Sequence, residues 1–281
     1  MASNGIKDKV AIVGMGCTPF GEHWDKDASD MLIEAATAAY SSAGVDPNDV
    51  DAYWLGTFAS GISGMVFAEA LKTPYKPVTR LENMCATGSE AIRNAAYAVA
   101  SGAYDLVMAV GVEKLKDGGY SGLVVPTPDG DGTESSMTAP AMFSLLAPAY
   151  CKKYGVDEAQ LKEVLARIAW KNHVAGAKNP KAQFRKEVSM DTICKSPRVA
   201  GMFGVFDCSG VADGAAAAIL CRAEDAHKYT DKPIYLKAFS IAAGPNEGFI
   251  SGDYDFTTFK EVVVSAQDAY QQAGVTNPRE Q

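Results

Sequence analysis

The 281-residue chain contains no apolar run of 18 residues, so no segment of it reads as a membrane-spanning helix. The opening MASNGIKDKV lacks the apolar centre of a secretory signal, and the final Pro278-Arg279-Glu280-Gln281 carries no targeting address, so a cytosolic protein is expected. Positive charge is scarce. The 26 Lys and Arg stand against 34 Asp and Glu, a net charge of −8, and such a chain offers no global field for nucleic-acid phosphates or anionic lipid. Neither nucleic acid nor a membrane is expected as a partner. With 26 glycines and 13 prolines the chain is too poor in both to be disordered or collagen-like, and 47% apolar with 21% charged residues is an ordinary globular balance. Histidines number three, and the six cysteines (Cys17, Cys85, Cys151, Cys194, Cys208, Cys221) are dispersed without a Cys-x-x-Cys pair. No metal site is therefore expected, and a reducing compartment fits.

What is present reads as alternating strands and helices. Lys9 to Gly14 is a short apolar run closed by glycine, and Val50 to Gly56 and Asp105 to Gly111 are two more buried strands. Between them lie an Ala-rich helix over Asp30 to Ala43, ended by Gly44, and a proline-free helix of small residues over Cys85 to Ser101. This order is the pattern of a parallel α/β sheet. From Lys116 to about Arg198 the character changes. The turn-rich Pro126 to Gly132 opens an insertion with helices predicted over Ala139 to Tyr154 and Glu158 to His173. Val211 to Leu220 restores an apolar segment, with Asp213-Gly214 as its turn.

An internal repeat governs the organisation: Ala39-Tyr40-Ser41-Ser42-Ala43-Gly44-Val45 returns as Ala269-Tyr270-Gln271-Gln272-Ala273-Gly274-Val275, and the proline two residues on recurs. At the same offset Val10 to Val13 meets Ser240 to Ala243, beside the strand-like Ile234 to Phe239. The fold is read as a duplication. Its second copy stops after one strand and one long helix, so the chain is expected either to be a fragment or to need a partner.

The chemistry centres on Glu82-Asn83-Met84-Cys85-Ala86-Thr87-Gly88-Ser89, where a cysteine stands at the first turn of a predicted helix. Unpaired N–H groups and a partial positive charge at a helix N-terminus favour thiolate over thiol, and small Ala86 and Gly88 let a substrate approach the backbone. A free cysteine is equally a small buried apolar residue, and position alone does not separate the two.

Asn83 to Ala91, followed by Ala98 to Asp105 and by Ala109-Val110-Gly111-Val112-Glu113-Lys114, resembles the thiolases, and most of all the branch named after sterol carrier protein 2. Lys171-Asn172-His173, Asn179 to Phe184, Asp207-Cys208-Ser209 and Ala212 to Ala216 resemble the same branch, so the likeness covers nearly the whole chain. It implies a thiolase-like α/β fold, βαβαβαββ twice in five layers, with an inserted loop domain that binds coenzyme A. On that scheme residues 1–117 and 199–231 form the N-terminal half, 118–198 the inserted domain, and 232–281 the start of an incomplete second half. The resemblance further implies an acyltransferase that cleaves a 3-oxoacyl-CoA with coenzyme A, or runs the reverse Claisen condensation, through an S-acyl Cys85. Ser209 and Gly210 match the loop that touches the pantetheine arm, although a plain turn explains Ser209 as well. No permanently bound cofactor is implied, coenzyme A and acyl-CoA being substrates. Homodimers or tetramers, and a small OB-fold acyl-CoA-binding partner in some members, are implied too. The family's catalytic His, second Cys and further oxyanion-hole motif lie beyond the segments matched here.

Lys171, Lys178, Lys181, Arg185 and Lys186 make a local positive cluster, either a solvated face or an attraction for coenzyme A phosphates, with Lys181 and Arg185 the chosen candidates. His23, His173 and His227 are read as structural or solvated, His173 with a lesser claim on the site as acid/base. Gly14-Met15-Gly16 suggests a dinucleotide fingerprint, but Pro19 stands where its third glycine is needed. Asp129 to Gly132 has too few ligands for a calcium loop. Two other functions stay open: a relative performing retro-aldol cleavage or non-thiolytic condensation on the same scaffold, and a non-catalytic acyl-CoA- or lipid-binding subunit.

Overall fold

The computed structural model describes residues 5–117, 124–128, 134–245 and 254–280. The first apolar run forms β1 (Val10–Cys17), extending past the glycine taken as its end. Helix α1 (Ala28–Ala43) begins with a reciprocal cap, Asp30 N–H donating to the Asp27 carboxylate and Asp27 N–H to that of Asp30, and ends at Gly44 with φ 64°. There follow β2 (Ala52–Gly56), α2 (Met65–Leu71), β3 (Val78–Leu81), α3 (Thr87–Ala100) and β4 (Leu106–Glu113). Beyond them lie the hairpin β5 (Val124–Pro128) and β6 (Glu134–Thr138), then α4 (Ala139–Ser144), α5 (Leu146–Tyr154), α6 (Glu158–Ala177) and α7 (Met190–Cys194). The short pair β7 (Arg198–Ala200) and β8 (Phe203–Gly204), the long β9 (Gly214–Arg222), β10 (Ile234–Tyr235) and α8 (Lys260–Ala273) complete the order.

The chain divides into two compact units: residues 1–118, 212–242 and 262–281 form one, residues 119–211 and 243–261 the other. The first unit is built on a six-stranded sheet of order β10-β1-β9-β4-β2-β3. It is mixed, not parallel. β2 runs parallel to β3 and β4, but β9 runs antiparallel to both β1 and β4 and separates them. Strand–helix alternation sets the common direction of β1, β2 and β4 but not which strands are neighbours, and β9, arriving about a hundred residues later in sequence, takes the central slot. One face of the sheet buries Met31, Leu32, Ala35 and Ala36 of α1 with Phe67 of α2; the other buries Ala91, Ala95, Ala96 and Val99 of α3. Gly16 on β1 is needed for contact: a Cβ there would lie 2.3 Å from the Ala35 carbonyl oxygen. That close strand–helix approach, and no nucleotide loop, accounts for the Gly14-Met15-Gly16 motif.

The repeated heptad forms the same helix ending twice. Val45 N–H donates to the Tyr40 carbonyl at 3.1 Å and Val275 N–H to that of Tyr270 at 2.9 Å, each across a glycine with φ of 64° or 75°. Short 3-10 turns follow at Pro47–Asp49 and Pro278–Glu280. The matching strand does not repeat. Only Ile234–Tyr235 is a strand, antiparallel at the outer edge of β1, and Ser240 to Ala243 is not. Main-chain groups of Phe239 that a neighbouring strand would satisfy are paired instead with the Gln272 side chain, which donates to the Phe239 carbonyl at 3.1 Å and accepts from its N–H at 3.4 Å.

In the second unit the long helix expected over Ala139 to Tyr154 is two, broken at Leu145. Pro148 sits in the first turn of the second, where its missing N–H has no helical partner to lose. α6 begins as expected at Glu158 but runs to Ala177. Ala166, Ala169 and Ile193 form the small core, with Phe206 against it. Residues 254–259 pack within this unit, Lys153 meeting Asp255 at 3.2 Å and the Phe143 ring lying 6.4 Å from that of Phe259. The Asp129 to Gly132 turn lies outside the described residues. Among the described residues no helix is long and apolar enough to cross a membrane, and no group of three metal-binding side chains assembles.

Candidate functional site

In the first unit β3 delivers the chain to a turn that carries Cys85. Helix α3 starts at Thr87, two residues later than the sequence suggests, and Cys85 lies in the 3-10 turn Met84–Ala86 that precedes it. The reason is local. Met84 has φ +47°, a left-handed backbone that a long side chain adopts at a cost, and this bend keeps Cys85 out of the helix and exposed. The Thr87 hydroxyl accepts the Asn83 N–H at 2.8 Å and donates to the Met84 carbonyl at 2.6 Å, clasping the bend from both sides. Asn83 Nδ2 donates to Glu90 at 3.2 Å, and Glu90 is held in turn by Arg93 Nε at 2.8 Å and Asn94 Nδ2 at 3.1 Å. Nothing lies within 4 Å of the position a Cβ would take on Gly88, so the approach to this backbone is open, as its small residues suggest.

A second loop, Thr57 to Ser60, stands at the end of β2 beside this turn. Glu113, the last residue of β4, accepts N–H groups from Phe58 at 2.8 Å and from Ala59 and Ser60 at 3.0 Å, with the Ser60 hydroxyl at 2.8 Å. Arg80 on β3 donates to the Thr57 and Phe58 carbonyls at 2.7 and 3.2 Å. Asp213, read as a turn residue, is instead fully buried. Its carboxylate accepts from Lys114 Nζ at 2.9 Å and from the N–H groups of Leu115, Lys116 and His23 at 2.8, 3.0 and 3.1 Å. Burial by itself would raise its pKa; the Lys114 ammonium and these N–H donors overcome that and hold it at about 2. Sequence reasoning passed over Thr87, Glu90, Glu113 and Asp213. An acid directly after a buried strand, as at Glu113, is the only one of them with a readable signal.

Two of the other thiols are held back from ionising by burial. Burial pushes Cys221 up to about 12, and burial with the neighbouring Asp207 also raises Cys208. All six cysteines are free thiols.

In the second unit Ser209 and Gly210 line a cavity of about 530 Å³ together with His173, Gln183, Phe184 and Cys208. The His173 ring lies 5.9 Å from that of Phe184 and 5.5 Å from that of Phe206, and its Nδ1 is 3.2 Å from the Lys186 carbonyl oxygen. His173 thus belongs to the cavity wall. Lys181 and Arg185 do not line the cavity; they occupy the adjoining segment, where Lys181 N–H bonds Asn179 Oδ1 at 2.9 Å and Arg185 turns back to the Pro180 carbonyl at 3.2 Å. His23 contacts the Pro19 carbonyl and His227 the Tyr235 hydroxyl.

Residues 10–224 match the family model described as the thiolase N-terminal domain. The acetyl-CoA acetyltransferase of Methanothermobacter thermautotrophicus is 36% identical, over 95% of this chain and 70% of its own length. Human sterol carrier protein 2 is 28% identical over 95% of this chain, which spans about half (52%) of that protein. Among solved structures, the Ltp2-ChsH2(DUF35) aldolase superposes with a TM-score of 0.81 over 97% of this chain and 71% of its own, at 23% identity. The strand–turn–helix that presents Cys85, the mixed sheet behind it and these matches converge: the chain belongs to the thiolase family.

Proposed function

We propose that the chain carries the nucleophile of a thiolase-type acyltransferase. Cys85 Sγ attacks the carbonyl carbon of an acyl-CoA, the coenzyme A thiol leaves with a proton, and an S-acyl cysteine remains. In the condensing direction the carbanion of a second acyl-CoA displaces that cysteine to give a 3-oxoacyl-CoA; in the thiolytic direction the cycle runs backwards and coenzyme A takes the acyl group. The observation that carries the reading is the exposed Cys85 on a bend held by five side-chain hydrogen bonds, counting Thr87, Asn83 and Glu90 with its two donors, at the entry to α3. A backbone N–H at the entry to α3 is proposed to hold the oxyanion. Ser209 and Gly210, in the wall of the second unit's cavity, are proposed to meet the pantetheine arm of coenzyme A, and Lys181 and Arg185 to attract the phosphates of coenzyme A. The name of the Methanothermobacter relative supports acetyl-CoA as the acyl donor.

The structural likeness to an aldolase supports one alternative, retro-aldol cleavage on the same scaffold. That neighbour's two-part name also supports a small partner protein of the DUF35 kind. A second copy of the chain is proposed along β3, which among the described residues pairs with β2 alone and stands at the edge of the sheet.

Intact-mass measurement after brief exposure to acetyl-CoA tests the reading. One acetyl group is expected on the wild type and none on Cys85→Ala. No mass increase on the wild type, or the same increase on both proteins, overturns it.

A further inference from the structure

We infer that Thr87 is the positioning residue of this site: its side chain holds the strained bend that presents Cys85. The inference rests on the reading of Cys85 as nucleophile. Met84, the residue before Cys85, has φ +47°, and its side chain is 65% exposed, so little packing compensates for the cost of that conformation. The Glu82 carboxylate accepts the Met84 N–H and the Ala86 N–H closes the turn onto the Asn83 carbonyl at 3.0 Å; the Thr87 hydroxyl is the side-chain group that spans the bend from both sides. Thr87 Oγ1 accepts the Asn83 N–H at 2.8 Å and donates to the Met84 carbonyl at 2.6 Å, one on each side of that dihedral, so relaxing it parts the hydroxyl from at least one of them. Ala86, at the helix cap position, makes no side-chain cap bond and cannot take over.

The methyl of the same residue fixes the bend against the sheet. A Cβ on Gly56, the last residue of β2, would lie 2.7 Å from Thr87 Cγ2, so the methyl occupies the space that glycine leaves. Gly56 and Thr57 are in turn tied to the strand that leads to Cys85: Thr57 N–H reaches the Leu81 carbonyl at 3.4 Å, and Arg80 bonds the Thr57 carbonyl. Thr87 therefore has two separable tasks, with the hydroxyl setting the dihedral before Cys85 and the methyl setting the distance to β2. A serine keeps the first task and a valine keeps the second.

The test is a time course of acylation by acetyl-CoA, read by intact mass, for wild type, Cys85→Ala, Thr87→Val, Thr87→Ser, Met84→Asn and Thr87→Val combined with Met84→Asn, each with a thermal melt. Displacing a reacting group by a fraction of an ångström to an ångström slows such steps by about 10- to 100-fold, and that loss is expected for Thr87→Val, with the half-saturating acetyl-CoA concentration unchanged. Thr87→Ser is expected within about threefold of wild type, since it keeps the hydroxyl. Asparagine adopts left-handed backbone more readily than methionine. In the Thr87→Val background Met84→Asn is therefore expected to restore about tenfold relative to Thr87→Val alone. Thr87→Val acylated as fast as wild type, Thr87→Ser as slow as Thr87→Val, or a double variant no faster than Thr87→Val overturns the inference. If Thr87→Val melts below the assay temperature, the Thr87→Ser rate decides: a rate within about threefold of wild type supports the inference and a loss of about tenfold or more overturns it. A wild type that takes no acyl group on Cys85 overturns the functional reading, and the inference falls with it; a normally acylated wild type with any of the three results above overturns the inference alone.

Discussion

Replacing Asp213 by asparagine tests how the first unit is held together. The wild-type carboxylate is buried and joins three stretches of chain: the start of β9, residues 114–116 after β4, and the loop at His23. A carboxyl at about 2 in the folded protein, against an ordinary 3.8, contributes about 2.4 kcal/mol of stability at neutral pH. Because the folded value is the lower one, that contribution is fully present above about pH 5 and decays as pH falls toward 2; at pH 3 about 1.3 kcal/mol of it is left. Asparagine does more than remove charge. Its amide N–H₂ would face the Lys114 ammonium and the His23 N–H, donors against a donor. Breaking one side of a buried pair costs about 3–5 kcal/mol, and Lys114 retains Asp117 at 2.7 Å, so the low end, about 3 kcal/mol, is expected at pH 7. Urea unfolding at pH 7 and pH 3, followed by tryptophan fluorescence with Trp24 beside Lys114, measures both quantities. The gap between wild type and Asp213→Asn should narrow by about 1 kcal/mol at the lower pH. A gap below about 1 kcal/mol at pH 7, or one that stays constant on acidification, refutes the reasoning.

Gly16→Ala places a methyl 2.3 Å from the Ala35 carbonyl oxygen and 2.6 Å from the Ala38 side chain, so α1 must move off the sheet; a loss of about 1–3 kcal/mol is expected in chemical unfolding, and a neutral result would show that the strand–helix contact is loose. Glu113→Gln keeps one acceptor oxygen but turns an amide N–H₂ toward the loop donors of Thr57 to Ser60. With one N–H left unpaired the loss should be about 1–3 kcal/mol, visible as a lower melting temperature; an unchanged melt would mean that water satisfies the loop.

Much of the architecture follows from periodicity. The α1 and α3 helices, strands β1, β2 and β4, and the two repeated helix endings can be read from apolar spacing and from Gly44 and Gly274, because these signals are local. β3 escaped notice because its four residues, Val78-Thr79-Arg80-Leu81, are too short and mixed to show a period. Ser240 to Ala243 misled because an apolar run becomes a strand only when a neighbour accepts its backbone bonds. The candidate site divides in the same way. Cys85 stands out by its place before a helix, and Ser209 with Gly210 by their motif. Thr87, Glu90 and Glu113 act through hydrogen bonds to groups up to 56 residues away, and no spacing rule encodes such a pairing.

The amino-acid sequence by itself determined that α1, α3 and the start of α6 are helical, where a turn must take glycine, that one helix ending recurs, and that one cysteine stands at a helix entrance, since each of these is settled by neighbours within a few residues. The tertiary structure alone decided that β9 enters the centre of the sheet in the opposite direction, that Asp213 is a buried anchor instead of a turn residue, and that Cys85 projects from a strained bend ahead of α3. Those outcomes depend on burial, on charge pairing and on backbone partners supplied from distant parts of the chain, which exist only once the sheet has closed around them.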